Sequence, residues 1–348
     1  MIPEHPKDMH VDWLCDKLGG PVGGLNGFDF KPIGTGQVGD SYRLVLDWNT
    51  PNAGLPGSVV AKCPAQDEKS RDTARKLHNY EVEVRWYQEF AHQANIRTPK
   101  CLHVDMGADT SNFVLIMEDV APAQQGNQLA GCDVDSVRLV LDELAHLHAF
   151  RWDDASLLNI DWLNYNKANR ELVGSLVPQL YPEWRNRYSD RISQDILEMG
   201  DAFIERYDRY GVDQVWPIVI AHGDCRLDNV LFSDPDGRAI IVDWQTITAG
   251  TPMADVAYLL GTSFHDPALR AANEEALIAY YLTRLAAHGV GDYENAYRDY
   301  RYNAFGGFLM AVIASMLVER TERGDEMFAV MAERSGAQAI ALDSLSLV

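Results

Sequence analysis

Asp224, Asn229 and Asp243 are the residues whose types and spacing best suit chemistry in this chain. They lie in Val219–Gln245, which reads VIAHGDCRLDNVLFSDPDGRAIIVDWQ. An apolar, partly β-branched run, Trp216–Ala221, leads into His222, Gly223 and Asp224, and Asn229 lies five residues beyond Asp224. Val230–Phe232 reads as a short strand and Asp234–Gly237 as a turn by composition. Ala239–Val242 reads as a second strand, ending on Asp243. This order places three oxygen-bearing groups at the ends of adjacent short strands. Hard cations such as Mg2+ take carboxylate and amide oxygens together with phosphate oxygens. Phosphoryl transfer needs such cations, and a carboxylate that accepts the proton of the acceptor hydroxyl.

The catalytic-loop Asp and metal-binding Asn of protein kinases are also five residues apart. His222-Gly223-Asp224 with Asn229, then a strand ending on Asp243, resembles the aminoglycoside phosphotransferase family of small-molecule kinases. The form HGDCRLDN…VDWQ is most similar to the branch that includes the ecdysteroid-kinase-like enzymes. The resemblance implies that Asp224 is the catalytic Asp and that Asn229 and Asp243 hold the metal. Trp244–Gln245 stand where protein kinases have Phe-Gly, so only the Asp of that motif survives. An isolated His-Gly-Asp would read as a hairpin with incidental carboxylates; the three features together carry the resemblance. Arg226 either offsets charge on the transferred phosphoryl group or forms an ion pair with Asp228. Cys225 abuts Asp224, but no motif pairs it with a base, so it reads as a filler.

These residues need elements to position them. Gly34, Gly36 and Gly39 spell GxGxxG. A dinucleotide fingerprint would continue into a helix, whereas Ser41–Trp48 alternates as a strand. The preferred reading is a glycine-rich hairpin that covers phosphates; a plain β-turn is the structural alternative. Ser58–Cys63 is a β-branched strand carrying Lys62, a cation able to meet α- and β-phosphates unless it is only a surface lysine. Kinases pair such a Lys with a Glu on the following helix. Arg71–Ala94 has helical composition, and Glu83-Val84-Arg85-Trp86-Tyr87 resembles the family's Glu-x-x-Phe-Tyr helix, which implies Glu83 as the partner, with Glu81 as runner-up. Thr98–His103 and Phe113–Met117 read as two more strands. Met117-Glu118-Asp119-Val120 then resembles the hinge between kinase lobes, where backbone groups near Glu118 and Val120 would hydrogen-bond adenine.

The remainder is mostly helical in pattern. Leu139, Leu141, Leu144, Leu147 and Phe150 give near-helical spacing over Asp133–Trp152. His146 and His148 are two residues apart, so they share no helix face and form no i,i+4 metal pair; they read as packing or surface histidines. Asp153–Arg191 carries Trp162, Tyr165, Tyr181, Trp184 and Tyr188, which suit either an aromatic-lined pocket or ordinary helix packing. Helices follow at Ser193–Tyr210, starting in Gly250–Asp255, and at Asn273–Ala287, Tyr293–Val318 and Asp325–Arg334. Asp255 resembles a family carboxylate that braces the catalytic loop; a carboxylate at a helix N-terminus also has a purely structural reading.

With 348 residues the chain is long enough for two lobes and a sizeable core. A net charge of −21 argues against nucleic acid and anionic membrane surfaces as partners. Five cysteines, odd in number and without CxxC, suit a reduced cytoplasmic protein. The first residues lack the pattern of a signal peptide. The longest apolar stretch, Ala304–Val318, is too short and too rich in small residues for a membrane span and reads as a buried helix.

Strands first and helices after, with one small sheet at the catalytic stretch, imply an α+β bilobal protein-kinase-like fold. Its small β-rich N-lobe would occupy residues 1–120 and its larger helical C-lobe residues 121–348. The expected activity is transfer of the γ-phosphoryl group of ATP, with Mg2+, to a hydroxyl of a small molecule. A nucleotide-binding pseudokinase or scaffold is the alternative from another class. A protein kinase is disfavoured because only residues 244–254 separate Asp243 from Asp255 and no Ala-Pro-Glu follows.

Overall fold

A computed structural model of the chain describes residues 2–34, 39–50, 54–212, 214–318 and 320–348, apart from the side chains of residues 170 and 173. It divides into two compact units: Met1–Pro122 with Val242–Ile247, and Ala123–Ile241 with Thr248–Val348. The segment Val242–Ile247, which linear order puts in the C-terminal lobe, therefore packs with the first unit.

The first unit is built on one antiparallel sheet. Its strands are β1 (Leu25–Ile33), β2 (Gly39–Trp48), β3 (Ser58–Pro64), β4 (Cys101–Met106) and β5 (Phe113–Glu118), in the order β1-β2-β3-β5-β4. β1 and β2 form a hairpin in which Ile33 faces Ser41. In β3 the period of two buries Val59, Ala61 and Cys63 on one face and turns Lys62 to the other. The first face packs with Leu14 and Cys15 of helix α1 (Val11–Lys17) and with Leu44, Val114 and Ile116. β5 is buried along both faces, as its unbroken apolar run requires. On the Lys62 side, Phe113 meets Tyr80, ring centroids 4.6 Å apart.

Tyr80 belongs to helix α3 (Asn79–Arg85), which follows α2 (Glu68–Lys76). The single helix expected over 71–94 is thus broken: His78 takes a left-handed conformation, φ 59°, and the chain closes with a π-helical turn at Trp86–Phe90.

The second unit is mainly helical: α4 (Val134–Phe150), α5 (Asp161–Gly174), α6 (Val177–Tyr188), α7 (Gln194–Ile204), α8 (Pro252–Ser263), α9 (Pro267–Ala287), α10 (Ala296–Asn303), α11 (Gly306–Leu317) and α12 (Glu322–Ala341). α8 is buried on nearly every side and forms the axis of the unit. α4 starts on Asp133, whose side chain accepts from the Ser136 amide, and it buries Val137, Val140, Leu141, Leu144 and Leu147. The helix expected over 293–318 is two helices that part at Ala304–Phe305, and the last helix is longer than the pattern implied, with Gly324 inside its first turn. Tyr181, Trp184 and Tyr188 are buried, with Trp184 edge-on to Phe308, so these three aromatics serve helix packing.

The strands of the catalytic stretch form two small sheets and not one. β7 (Val219–Ala221) pairs with β10 (Thr248–Gly250), while β6 (Gln124–Gln125), β8 (Val230–Phe232) and β9 (Ile240–Ile241) form the other. Among the described residues no helix is long and apolar enough to cross a membrane.

Candidate active site

In the first unit the chemistry centres on Lys62. Its Nζ lies 2.7 Å from Glu83 Oε2 and 3.0 Å from Asp243 Oδ1. Burial opposes a charged ammonium here, but the Asp243 and Glu83 carboxylates outweigh it and hold Lys62 well above the usual lysine range. Burial pushes the Glu83 carboxyl up against the pull of Lys62. The two carboxylates thus favour the ammonium form of Lys62. Glu81 is turned to a different side of α3, toward His78 and Arg85. Residues two apart on a helix face different sides.

Asp243 is held from both directions. It has a left-handed backbone, φ 67° and ψ 72°, which Asp tolerates better than most residues. Its Oδ2 accepts from Gln245 Nε2 at 3.2 Å. The following residue, Trp244, is fully buried, stacks on Trp86 with centroids 4.0 Å apart, and donates Nε1–H to Thr98 Oγ1 at 2.9 Å. Asn79 Nδ2 donates to the Gln245 carbonyl at 3.3 Å. An indole where protein kinases have Phe thus anchors the segment to the π-helical turn at Trp86 and to Thr98.

Gly34 has φ 75°, a conformation that favours glycine. A Cβ on Gly39 would sit 3.3 Å from the Cys63 carbonyl and 3.4 Å from Lys62 Cε, so glycine allows β2 to pass close to the lysine. Gly36 lies outside the described residues. At the expected hinge, the Glu118 amide donates to the Lys100 carbonyl and its carboxylate pairs with Arg97. Val120 is half-buried. Between them Asp119 accepts from Arg43 Nη2 at 3.0 Å and from Ser58 Oγ at 2.7 Å, tying the end of the sheet down.

In the second unit the loop His222–Asn229 is braced from beneath by Asp255. The His222 amide donates to Asp255 Oδ2 at 2.6 Å and the Gly223 amide to Oδ1 at 2.9 Å. Gly223 has φ 81°, which explains the glycine of the motif. His148 Nε2 lies 3.2 Å from Asp255 Oδ2, and its Nδ1 lies 2.6 Å from the Tyr281 hydroxyl. All three are buried. The bonds are consistent when Tyr281 donates to Nδ1 and Nε2–H donates to Asp255. Burial alone would raise the Asp255 carboxyl; His148, His222 and the Gly223 amide outweigh it and hold it below the ordinary carboxylate range.

Asp224 itself is surrounded by donors. Tyr258 donates its hydroxyl to Oδ1 at 2.8 Å. Asn229 Nδ2 donates to Oδ2 at 2.9 Å and to the Asp224 carbonyl at 2.9 Å. That leaves the amide oxygen as the group of Asn229 suited to a cation. Arg226 makes both contacts open to it within its loop: Nε to Asp224 Oδ2 at 3.3 Å and Nη1 to Asp228 Oδ2 at 3.2 Å. Asp228, also buried, is met by Arg323 at 3.3 Å and by the Gln128 amide at 3.0 Å. The Leu227 amide donates to Gln128 Oε1 at 2.9 Å. Cys225 is fully buried, and burial with the nearby Asp255 and Asp224 charges pushes its thiol well up, so it stays protonated and inert.

Tyr258, His148, Tyr281 and Gln128 were not legible as site residues. The one local signal was the spacing of Asp255 and Tyr258, one turn apart on α8. His146 lies against His288, ring centroids 4.2 Å apart and tilted by 42°.

The sequence profile of the Ecdysteroid kinase-like family matches residues 40–289. Acyl-CoA dehydrogenase family member 11 from Gallus gallus is 25% identical over 146 residues, 41% of this chain and 16% of that protein, so the chain spans about a sixth of that relative's length. Among solved structures, an ethanolamine kinase from Plasmodium vivax superposes with a TM-score of 0.55 at 14% identity, covering 91% of this chain and 84% of that one. The GDP complex of aminoglycoside 2'-phosphotransferase-IIIa gives 0.53 at 14%, covering 88% and 92%. The streptomycin–ATP complex of APH(2")-IIa gives 0.50 at 13%, covering 87% and 89%. At these identities the likeness is one of fold, and it is the bilobal α+β kinase-like fold expected from the order of elements.

Proposed function

This chain belongs to the ecdysteroid kinase-like family, and from that membership and its two braced side-chain clusters we propose that it is an ATP-dependent phosphotransferase acting on a small-molecule hydroxyl. The observation that carries the reading is the buried Lys62 ammonium, fixed between Glu83 at 2.7 Å and Asp243 at 3.0 Å. A cation ordered in this way suits the α- and β-phosphates of a nucleotide. The nucleotide-bound relatives of the same fold support that assignment. Backbone groups near Glu118 and Val120 are our candidates for adenine, and Gly34, Gly36 and Gly39 for the loop over the phosphates.

Asp243 and Asn229 each offer a hard oxygen to Mg2+. Among the described residues no group of three or more His, Cys, Asp or Glu forms a metal site, so phosphate and water oxygens would complete the shell. Bound Mg2+ would neutralise charge on the phosphates. Asp224 accepts the hydrogen bond of the acceptor hydroxyl, orients its oxygen toward the γ-phosphorus and takes its proton as the new P–O bond forms, while the bond from the γ-phosphorus to the β–γ bridging oxygen breaks and ADP leaves. Arg226, occupied by Asp224 and Asp228, orients the loop. A peptide acceptor fits poorly, because Thr248–Gly250 is tied into β10 and α8 begins at Pro252, which leaves no segment to present one. The unpaired state of all five cysteines supports a cytoplasmic setting.

A coupled ADP-release screen against a library of hydroxyl compounds tests the reading. Asp224→Asn should lower single-turnover transfer by about 10²-fold or more, the size of a lost general base, while ATP titrates as in the wild type. Absence of transfer to every acceptor, with no basal ATPase, would favour a nucleotide-binding scaffold.

A further inference from the structure

We propose that Tyr258 is a positioning residue: it holds the Asp224 carboxylate in one conformer and reserves Oδ1 for the acceptor hydroxyl. An ionised carboxylate has about two acceptor positions on each oxygen. Oδ2 already takes Asn229 Nδ2 at 2.9 Å and Arg226 Nε at 3.3 Å. Among the described residues Oδ1 takes only the Tyr258 hydroxyl, at 2.8 Å. One lone pair of Oδ1 is therefore open, and the side chain is 15% exposed, enough for a hydroxyl to approach. The incoming group would share Oδ1 with the phenol.

The placement of Tyr258 suits this role. It sits one turn after Asp255 on α8, so a single helix holds the backbone of the loop through His222 and Gly223 and the side chain of Asp224 through the phenol. α8 is the buried axis of its unit, which makes it a stiff support. Burial, then the Asp224 charge, pushes the Tyr258 phenol well up, so its proton stays in place as a donor. A fixed side-chain donor, unlike exchanging water, selects one carboxylate orientation. Near-attack geometry is sensitive to displacements of about 1 Å.

The rate test rests on the phosphotransferase reading, whereas the conformer test does not. Tyr258→Phe removes one oxygen and keeps the ring packing. Room-temperature crystal structures should show Asp224 in one conformer in the wild type and in at least two in Tyr258→Phe. A single unmoved conformer in the variant overturns the proposal whether or not the chain is a kinase. With an acceptor in hand, kcat of Tyr258→Phe should fall about 10-fold, the scale of one lost charge-assisted hydrogen bond in the transition state, with nucleotide Kd unchanged. An unchanged kcat also overturns it. Incorporating 4-aminophenylalanine at position 258 returns a donor and should restore both readouts. Failure of the phosphotransferase reading would look different: the wild type would transfer to no acceptor while the conformer result stood.

Discussion

Asp255→Asn tests whether the loop His222–Asn229 is held by a buried charge. The wild-type carboxylate accepts from the His222 amide at 2.6 Å, the Gly223 amide at 2.9 Å and His148 Nε2 at 3.2 Å. Asn keeps the shape and one acceptor oxygen but turns an NH2 toward one of these donors. One charge-assisted bond is lost, worth about 1.5–3 kcal/mol, and a buried N–H is left unsatisfied at a further cost of about 1–3 kcal/mol. The expected loss at pH 7 is about 3–5 kcal/mol. Because the folded-state carboxyl is held below its unfolded value, its contribution is complete above the unfolded pKa, about 3.9, and is lost as pH falls through the folded one. The gap between wild type and variant should therefore narrow below about pH 4. Urea denaturation at several pH values measures the gap, and hydrogen exchange at the His222 and Gly223 amides reads the loop directly. A gap under about 1 kcal/mol at pH 7, or one equally large at pH 3.5, would refute the argument, since either falls outside what a lost buried carboxylate should do.

Three further outcomes follow from the first unit. Trp244→Ala should cost about 3–5 kcal/mol, the range for removing a buried indole, and a urea midpoint near wild type would show that the stack on Trp86 does not anchor the segment. Glu83→Gln should lower kcat/KM at least about 10-fold by freeing Lys62, while Glu81→Gln should leave it near wild type; equal effects in steady-state kinetics would contradict the pairing. Asp243→Ala should abolish Mg2+-dependent ATP binding by calorimetry, and unchanged affinity would remove it as a metal ligand.

Much of the candidate site was legible because its signals are local. The five-residue spacing of Asp224 and Asn229, the strand before Asp243 and the lysine on a β-branched strand are all short-range patterns. The face that Lys62 occupies, away from Val59 and Ala61, emerged from the structure. Helix composition over 71–94 did not reveal the break at His78, because nothing in that composition marks a residue that takes a left-handed backbone.

Lone-pair partners were decided only in three dimensions. Tyr258 reaches Asp224 across 34 positions, and His148 reaches Asp255 across 107, separations at which spacing carries no signal. Whether Lys62 took Glu81 or Glu83 depended on which side of α3 faced the sheet. The segment Val242–Ile247 joined the first unit because Trp244 finds its buried surface on Trp86 and its hydrogen bond at Thr98. The sequence alone determined which residue types could handle phosphate and metal and in what order they occur. Tertiary packing determined which donors hold them, because buried polar groups must find partners wherever the fold brings them within hydrogen-bond reach.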